Sequence, residues 1–278
     1  MVNPPASKTS QSSLHYDTNY ANFETELYEG IRREAFGDDI GQSSWITADE
    51  QDKYLKWLQL AAGKSLLDVA CGSGGPALRI AAIAGCAVTG VDNHEQAIAT
   101  AKSLAAQRRL SERARFVLAD AGGQLSFPAA SFDAITCIDA INHLDNRPAV
   151  IAEWVRLLRP GGRLLFTDPI TITGPLSGDE IRVRSSIGFF LFVPAGYDEM
   201  VIRQCGLQLV VKEDVTSNMA EIAERRGTAR ERSAAALRKI EGDKSYDVQQ
   251  EFFRVASRLA RERSLSRFLF VAEKPAQV

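Results

Sequence analysis

The chain has 278 residues, with 33 Lys+Arg against 35 Asp+Glu and a net charge of −2. That balance argues against nucleic acid or an anionic membrane as the main partner, and no apolar run approaches the ~20 residues that cross a bilayer. Cys71, Cys86, Cys137 and Cys205 show neither CxxC nor Cys/His spacing. They read as small core residues in a reducing cytoplasm, and no metal is expected.

In chain order, residues 1–13 lack the basic start and apolar stretch of a signal peptide and read as a disordered lead-in. Residues 14–61 read as a helical cap around the turn "FGDDIGQSSW", with Ser44 or Thr47 available to cap the helix that follows. From 62 to 170 short β-branched runs alternate with helical segments. The runs are 65–70, 87–92, 115–120, 132–139 and 162–168, and helices fill the intervals. Gly or Pro stops the helices at "AGC" (84–86) and "RPGG" (159–162). This pattern predicts βαβ units and a mostly parallel sheet. Runs 207–214 and 266–274 supply two closing strands, giving seven in all. Between them, 216–263 is rich in Ala, Arg and Glu and predicts a helical insertion. Its interleaved charges suggest a surface lid or an oligomer contact; a homo-oligomer would form there or through the cap. The segment 171–278 is expected to belong to the same domain as the core.

The turn after the first strand, "LLDVACGSGG", decides the ligand class. Its glycines let backbone approach a ligand, and the next helix offers N–H groups to it. Gly72-x-Gly74-x-x-Ala77 fits a dinucleotide fingerprint, and Asp92, closing the second strand, suits a ribose in either an NAD or an S-adenosylmethionine (SAM) site. Four further features shift the balance: Asp68 directly before the turn, Asp120 ending the third strand, "SFDAITCIDAINHL", and the Pro-Gly-Gly of "LLRPGGRLLFTD".

This ordered set resembles the class I SAM-dependent methyltransferases, in their small-molecule branch. The resemblance implies a Rossmann-like, doubly wound α/β sheet spanning 62–170, with SAM as cofactor. One departure is visible: Ala70 stands where the family usually has glycine. By the resemblance, Asp68 and the Ala70–Gly74 backbone, with Gly72 close to the ligand, hold the methionine moiety. Asp92 bonds the ribose, Asn93 flanks the adenine, Asp120 and Ala121 read its edge, and Ile138 or Asp139 lies beside the methionine end. Tyr16 and Tyr20 on a closing helix, with Gln42 and Trp45 behind them, are expected to line the pocket.

The acceptor is expected to be a small, partly apolar metabolite such as a natural product. His143, just past the fourth strand, is the candidate base for O-methylation, because an imidazole can take the proton of a mostly neutral phenol or alcohol. Tyr20 is a second candidate at the reaction centre. C-methylation is the close alternative, with Glu26 removing the last proton, and N-methylation stays open. His94 is expected on the surface, and His15 in the cap. Asp168, Phe189, Phe192 and Tyr197 are candidate acceptor contacts, whereas "SIGFFLF" can also be read as a plain buried helix. Arg182 and Arg184 could bind an acceptor carboxylate or phosphate, though a solvated face is the expectation. The rivals are an NAD-dependent oxidoreductase, disfavoured by the absence of a Tyr-x-x-x-Lys, and a SAM-binding protein without activity.

Overall fold

The computed structural model describes residues 12–276. Strand β1 (Ser65–Val69) is buried beyond its first residue and pairs in parallel with β2 (Ala87–Asp92) on one side and β4 (Phe132–Cys137) on the other. β3 (Ala114–Leu118) extends the sheet past β2, and β5 (Leu158–Ile172) past β4. β8 (Leu265–Glu273) runs antiparallel between β5 and β7 (Gln208–Asp214), so the order is β3-β2-β1-β4-β5-β8-β7. This is the expected doubly wound, mostly parallel seven-stranded sheet. A two-residue β6 (Val193–Pro194) is added against the end of β5.

Alternation along β1 sends its side chains to two cores. Leu66 packs with Leu78 of α4 (Gly75–Ala84), Ile98 of α5 (Glu95–Gln107) and Phe116. Leu67 and Val69 pack with Trp154 of α6 (Arg147–Leu157), Val201 of α8 (Tyr197–Gln204), Phe166 and Phe270. Helix α4 ends at Gly85, whose left-handed backbone returns its N–H to Ala81 O, as the "AGC" stop predicts. β5 begins at Leu158, before the Pro-Gly-Gly, and a register shift between Phe132 and Ala134 accommodates the turn.

Ahead of the sheet lie α1 (Ser12–Ala21), α2 (Glu26–Phe36) and α3 (Ala48–Leu58). Thr47, not Ser44, caps α3 by accepting from Glu50 N. The insertion comprises α9 (Thr216–Arg232), α10 (Ala234–Glu241) and α11 (Asp243–Arg261). It is more than a surface lid: α11 buries Phe252, Phe253, Ala256 and Ala260 against Ala35, Phe36 and Trp45 of the cap. After α7 (Gly178–Arg184), residues 185–188 form a turn and 189–192 irregular chain, not the buried helix allowed above, and Phe189 is 53% exposed.

Candidate active site

β1 is flanked by β2 and β4, so consecutive strands leave it in opposite directions and a crevice opens at its carboxyl end. Asp68 sits there with its Oδ1 accepting from the Thr136 hydroxyl at 2.7 Å. Burial, and after it the charge of Asp92, raises the Asp68 carboxyl to about 7 against the pull of that bond. The chain then reverses through Ala70, left-handed at φ 54°, and Gly72, also at φ 54°. Ala70 thus holds a conformation that glycine adopts more easily.

Asp92 closes the turn from β2. Its Oδ2 accepts from Gly72 N at 2.8 Å and its Oδ1 from His94 N at 2.9 Å. Its carboxyl is raised by burial. Asn93 beside it is exposed, and His94 caps α5 while pairing with Asp17 at 2.8 Å. Asp120 is exposed and spends Oδ1 on Gly122 N at 2.8 Å, while Ala121 is buried at the foot of that loop and Ile138 is half-buried at the end of β4. Side chains of 12–15, His15 among them, lie outside the described residues.

The cap closes the crevice from above. The Tyr16 and Tyr20 rings stack at 6.3 Å, and a Cβ on Gly72 would lie 2.8 Å from the Tyr20 Oη. Burial raises Tyr16 to about 12 and Tyr20 well above its ordinary value, so both phenols stay protonated and act as hydrogen-bond donors. Gln42 is buried with Oε1 accepting from Ile40 N and with no partner for Nε2 among the described residues. Trp45 does not line the pocket as expected. Its ring packs on Phe252 and Phe253, and only its backbone N–H turns back, donating to Asp139 Oδ2 at 2.9 Å.

On the acceptor side, His143 follows β4 in a 3-10 turn, Ile141–His143. Its Nδ1 lies 2.8 Å from Phe189 O, an atom that can only accept, so Nδ1 carries the proton and Nε2 presents a lone pair. The Tyr16 hydroxyl stands 3.4 Å from that Nε2. Burial lowers the His143 pKa, keeping the ring neutral near pH 7. The Phe190 ring, one of the aromatics that the sequence concentrates after the fifth strand, meets the imidazole edge-on at 4.7 Å.

Five expected site residues are corrected. Asp168 is 0% exposed and serves Arg147, which also bonds Asp198 at 2.7 Å, so its carboxylate is committed inside the core. Tyr197 packs on that core beside the Arg147 guanidinium. Phe192 joins Val255, Leu259 and Leu265. Glu26 opens α2 as an exposed first-turn acid, where it favours the helix dipole. Phe189 contributes its carbonyl and not its exposed ring. Missed altogether was Arg267 on β8, which bonds Asp139 at 2.6 Å and Glu50 at 2.8 Å and so ties β4 to α3.

The residues around the turn fit one cofactor class better than the other. A dinucleotide places its diphosphate at the N-terminus of α4. Here carbonyls cover it: Ser73 Oγ donates to Gly41 O at 2.7 Å, and a Cβ on Gly75 would lie 2.2 Å from Ile40 O. The Asp68 carboxyl at the end of β1 further disfavours an anion and suits the ammonium of SAM, whereas Asp92 fits the ribose of either class.

The comparisons agree. A methyltransferase-domain family matches residues 67–166. Over 269 residues the chain is 32% identical to the 27-O-demethylrifamycin SV methyltransferase of Amycolatopsis mediterranei, covering 94% of this chain and 95% of that protein. The chain belongs to the class I SAM-dependent methyltransferases. The methyltransferase is also 30% identical to the sterol 24-C-methyltransferase of Saccharomyces cerevisiae, over 66% of its own length and 49% of the relative's. Its fold matches that of the cyclopropane synthase MmaA2 from Mycobacterium tuberculosis with a TM-score of 0.79 at 19% identity, covering 94% of this chain and 98% of that one. Its cofactor is SAM, and no helix among the described residues is long and apolar enough to cross a membrane.

Proposed function

We propose that this methyltransferase methylates a hydroxyl group of a small, partly apolar acceptor of natural-product type, with His143 as general base. The observation that carries this is the His143 ring: Nδ1–H is pinned to Phe189 O, and the Nε2 lone pair faces a hydroxyl, that of Tyr16, at 3.4 Å. An acceptor hydroxyl presented at the same place gives its proton to Nε2 as its oxygen forms the new bond to carbon. SAM supplies an electrophilic methyl on a sulfonium and leaves as S-adenosylhomocysteine. Asp68, Asp92 and the Gly72 backbone hold the donor, and the cap phenols keep water away; such positioning is worth ~7–11 kcal/mol of barrier.

The rifamycin relative, similar across nearly the whole chain, is named for transfer to oxygen. Methylation at carbon is the second reading, favoured by the name of the sterol relative. It lacks its expected proton acceptor, since Glu26 is exposed on α2.

The test is His143→Gln, whose amide can keep the bond to Phe189 O without serving as a base. S-adenosylhomocysteine affinity is expected within about twofold of the parent, while turnover with a hydroxylated acceptor falls ~10²–10⁴-fold. Unchanged turnover would remove His143 from the chemistry. Cofactor binding without turnover in the parent protein, over a broad acceptor panel, would favour the inactive SAM-binding rival.

A further inference from the structure

α7 ends in Arg184, and its two arginines have opposite fates. Arg182 is exposed and pairs with Asp179 on the same helix. Arg184 is 1% exposed, contrary to the solvated face expected, and neither Nη1 nor Nη2 has an acceptor among the described residues. Its guanidinium instead lies 4.3 Å from the Phe252 ring centre and 5.7 Å from that of Phe190. Phe190 also touches His143, so one ring links the unpaired cation to the candidate base. Burial pulls Arg184 down to about 10, which still leaves it charged at neutral pH.

A buried, unpaired cation is among the costliest things a fold can hold, and cation–π contacts offset only part of the cost. Its neighbours repeat the pattern. Ser186, two residues on, has a buried hydroxyl without a partner, as does Thr171 of β5, the residue that pairs with Val193. Both side-chain polar atoms of Asn142 are buried and unpartnered too, although its carbonyl accepts from Leu191 N at 2.8 Å. Four polar side chains without partners among the described residues thus lie in or beside the segment 184–193, whose Phe189 carbonyl and Phe190 ring contact His143. A guanidinium with both Nη atoms free offers the parallel donor pair that a carboxylate accepts in bidentate fashion.

We propose that Arg184 anchors a carboxylate carried by the acceptor, so that the substrate is an apolar hydroxy acid gripped at its acid end by Arg184 while its hydroxyl faces His143. The Phe190 and Phe252 rings cover the apolar portion beside the anchor. This inference deepens the hydroxyl-methylation reading and rests on it for the orientation of the substrate.

The probes are octanoate, methyl octanoate and octanol, which share a chain and differ in charge at one end. Each is titrated calorimetrically into the protein already saturated with S-adenosylhomocysteine. In the parent protein octanoate is expected to bind at least about tenfold more tightly than octanol or the ester, as a charge-assisted pair requires. Arg184→Met is expected to abolish that preference without weakening S-adenosylhomocysteine. Arg184→Lys keeps part of it, and Arg182→Met keeps all of it. Because the free cation is unpaired, Arg184→Met should also leave the melting temperature of the ligand-free protein equal or higher. Equal binding of octanoate and octanol by the parent, no octanoate binding at millimolar concentration, or a preference that survives Arg184→Met would each overturn the proposal. Failure of S-adenosylhomocysteine to bind in the first titration would instead strike the methyltransferase site itself.

Discussion

Asp68 carries the electrostatics of the donor site. With its carboxyl raised to about 7, it is mostly protonated at pH 6 in the free protein. Bringing the ligand's ammonium beside it favours the charged form and expels the proton. S-adenosylhomocysteine binding near pH 6 is therefore expected to release close to one proton, read from calorimetric enthalpies in buffers of different ionisation heat. Proton uptake, or none moved, would show that Asp68 only braces the loop through Thr136. His143 has the opposite titration sense. Burial lowers its pKa, so the neutral base persists below the ordinary ~6.5, and turnover should fall only as pH drops beneath that value. A rate that is lost with an apparent pKa above 7 would point to another base.

Among the elements, a buried cation ties the cap to the sheet and an aromatic seam joins it to α11. Arg267 of β8 lies between Asp139, at the end of β4, and Glu50 of α3. Asp139 also accepts from Thr167 and from the Trp45 backbone N–H, so the same network positions the loop behind the cofactor crevice. Arg267→Met would strand two buried carboxylates and is expected to cost about 3–5 kcal/mol in urea unfolding. A loss under about 1 kcal/mol would mean that the carboxylates find protons or water instead. The seam is Trp45 against Phe252 and Phe253 of α11, with ring centres 6.3 and 6.1 Å from the indole. Phe252→Ala removes a ring from this seam and from the face of Arg184, with an expected loss of about 3–5 kcal/mol.

Over the whole molecule, several buried acids favour the protonated form in the fold: Asp68, Asp92, Glu50 and Asp198 are all raised chiefly by burial, with the charge of Asp168 adding to the shift of Asp198. A folded state that binds more protons than the unfolded one loses stability as pH rises, here from about 4 to about 7. The surface acids Asp133, Glu180 and Asp214 are lowered by their hydrogen bonds and ion pairs, so their stabilisation disappears as pH falls through about 4 and below. The melting temperature of the free protein should therefore peak at about pH 4–5, decline to about pH 7 and level off above it; a steady rise from 5 to 8 would contradict that balance.

The sheet and the donor turn were legible because their physics is local. β1 is buried on both faces and so reads as a continuous apolar run. The turn also shows itself locally, through Asp68, Gly72, Gly74 and the spacing to Asp92. The acceptor side was not legible, because there burial depends on what packs across it. Arg182 and Arg184 are two residues apart on a seven-residue helix, and only the approach of Phe190 and Phe252 distinguishes them. Asp168 closes the fifth apolar run of the sequence, as a site residue does, but β5 continues to Ile172 and Arg147 from α6 claims its carboxylate. The inward face of α11 did carry a signal, with Phe252, Phe253, Ala256, Leu259 and Ala260 at helical spacing, which the surrounding charges obscured.

The most direct test of hydroxyl methylation by His143 is the fate of the methyl carbon itself. The protein is incubated with SAM labelled at that carbon and a panel of apolar hydroxy acids, and the product's new bond is read by carbon NMR. A methoxy signal that His143→Gln diminishes ~100-fold or more is the predicted result. A label attached to carbon, or a methoxy signal indifferent to His143, would contradict it.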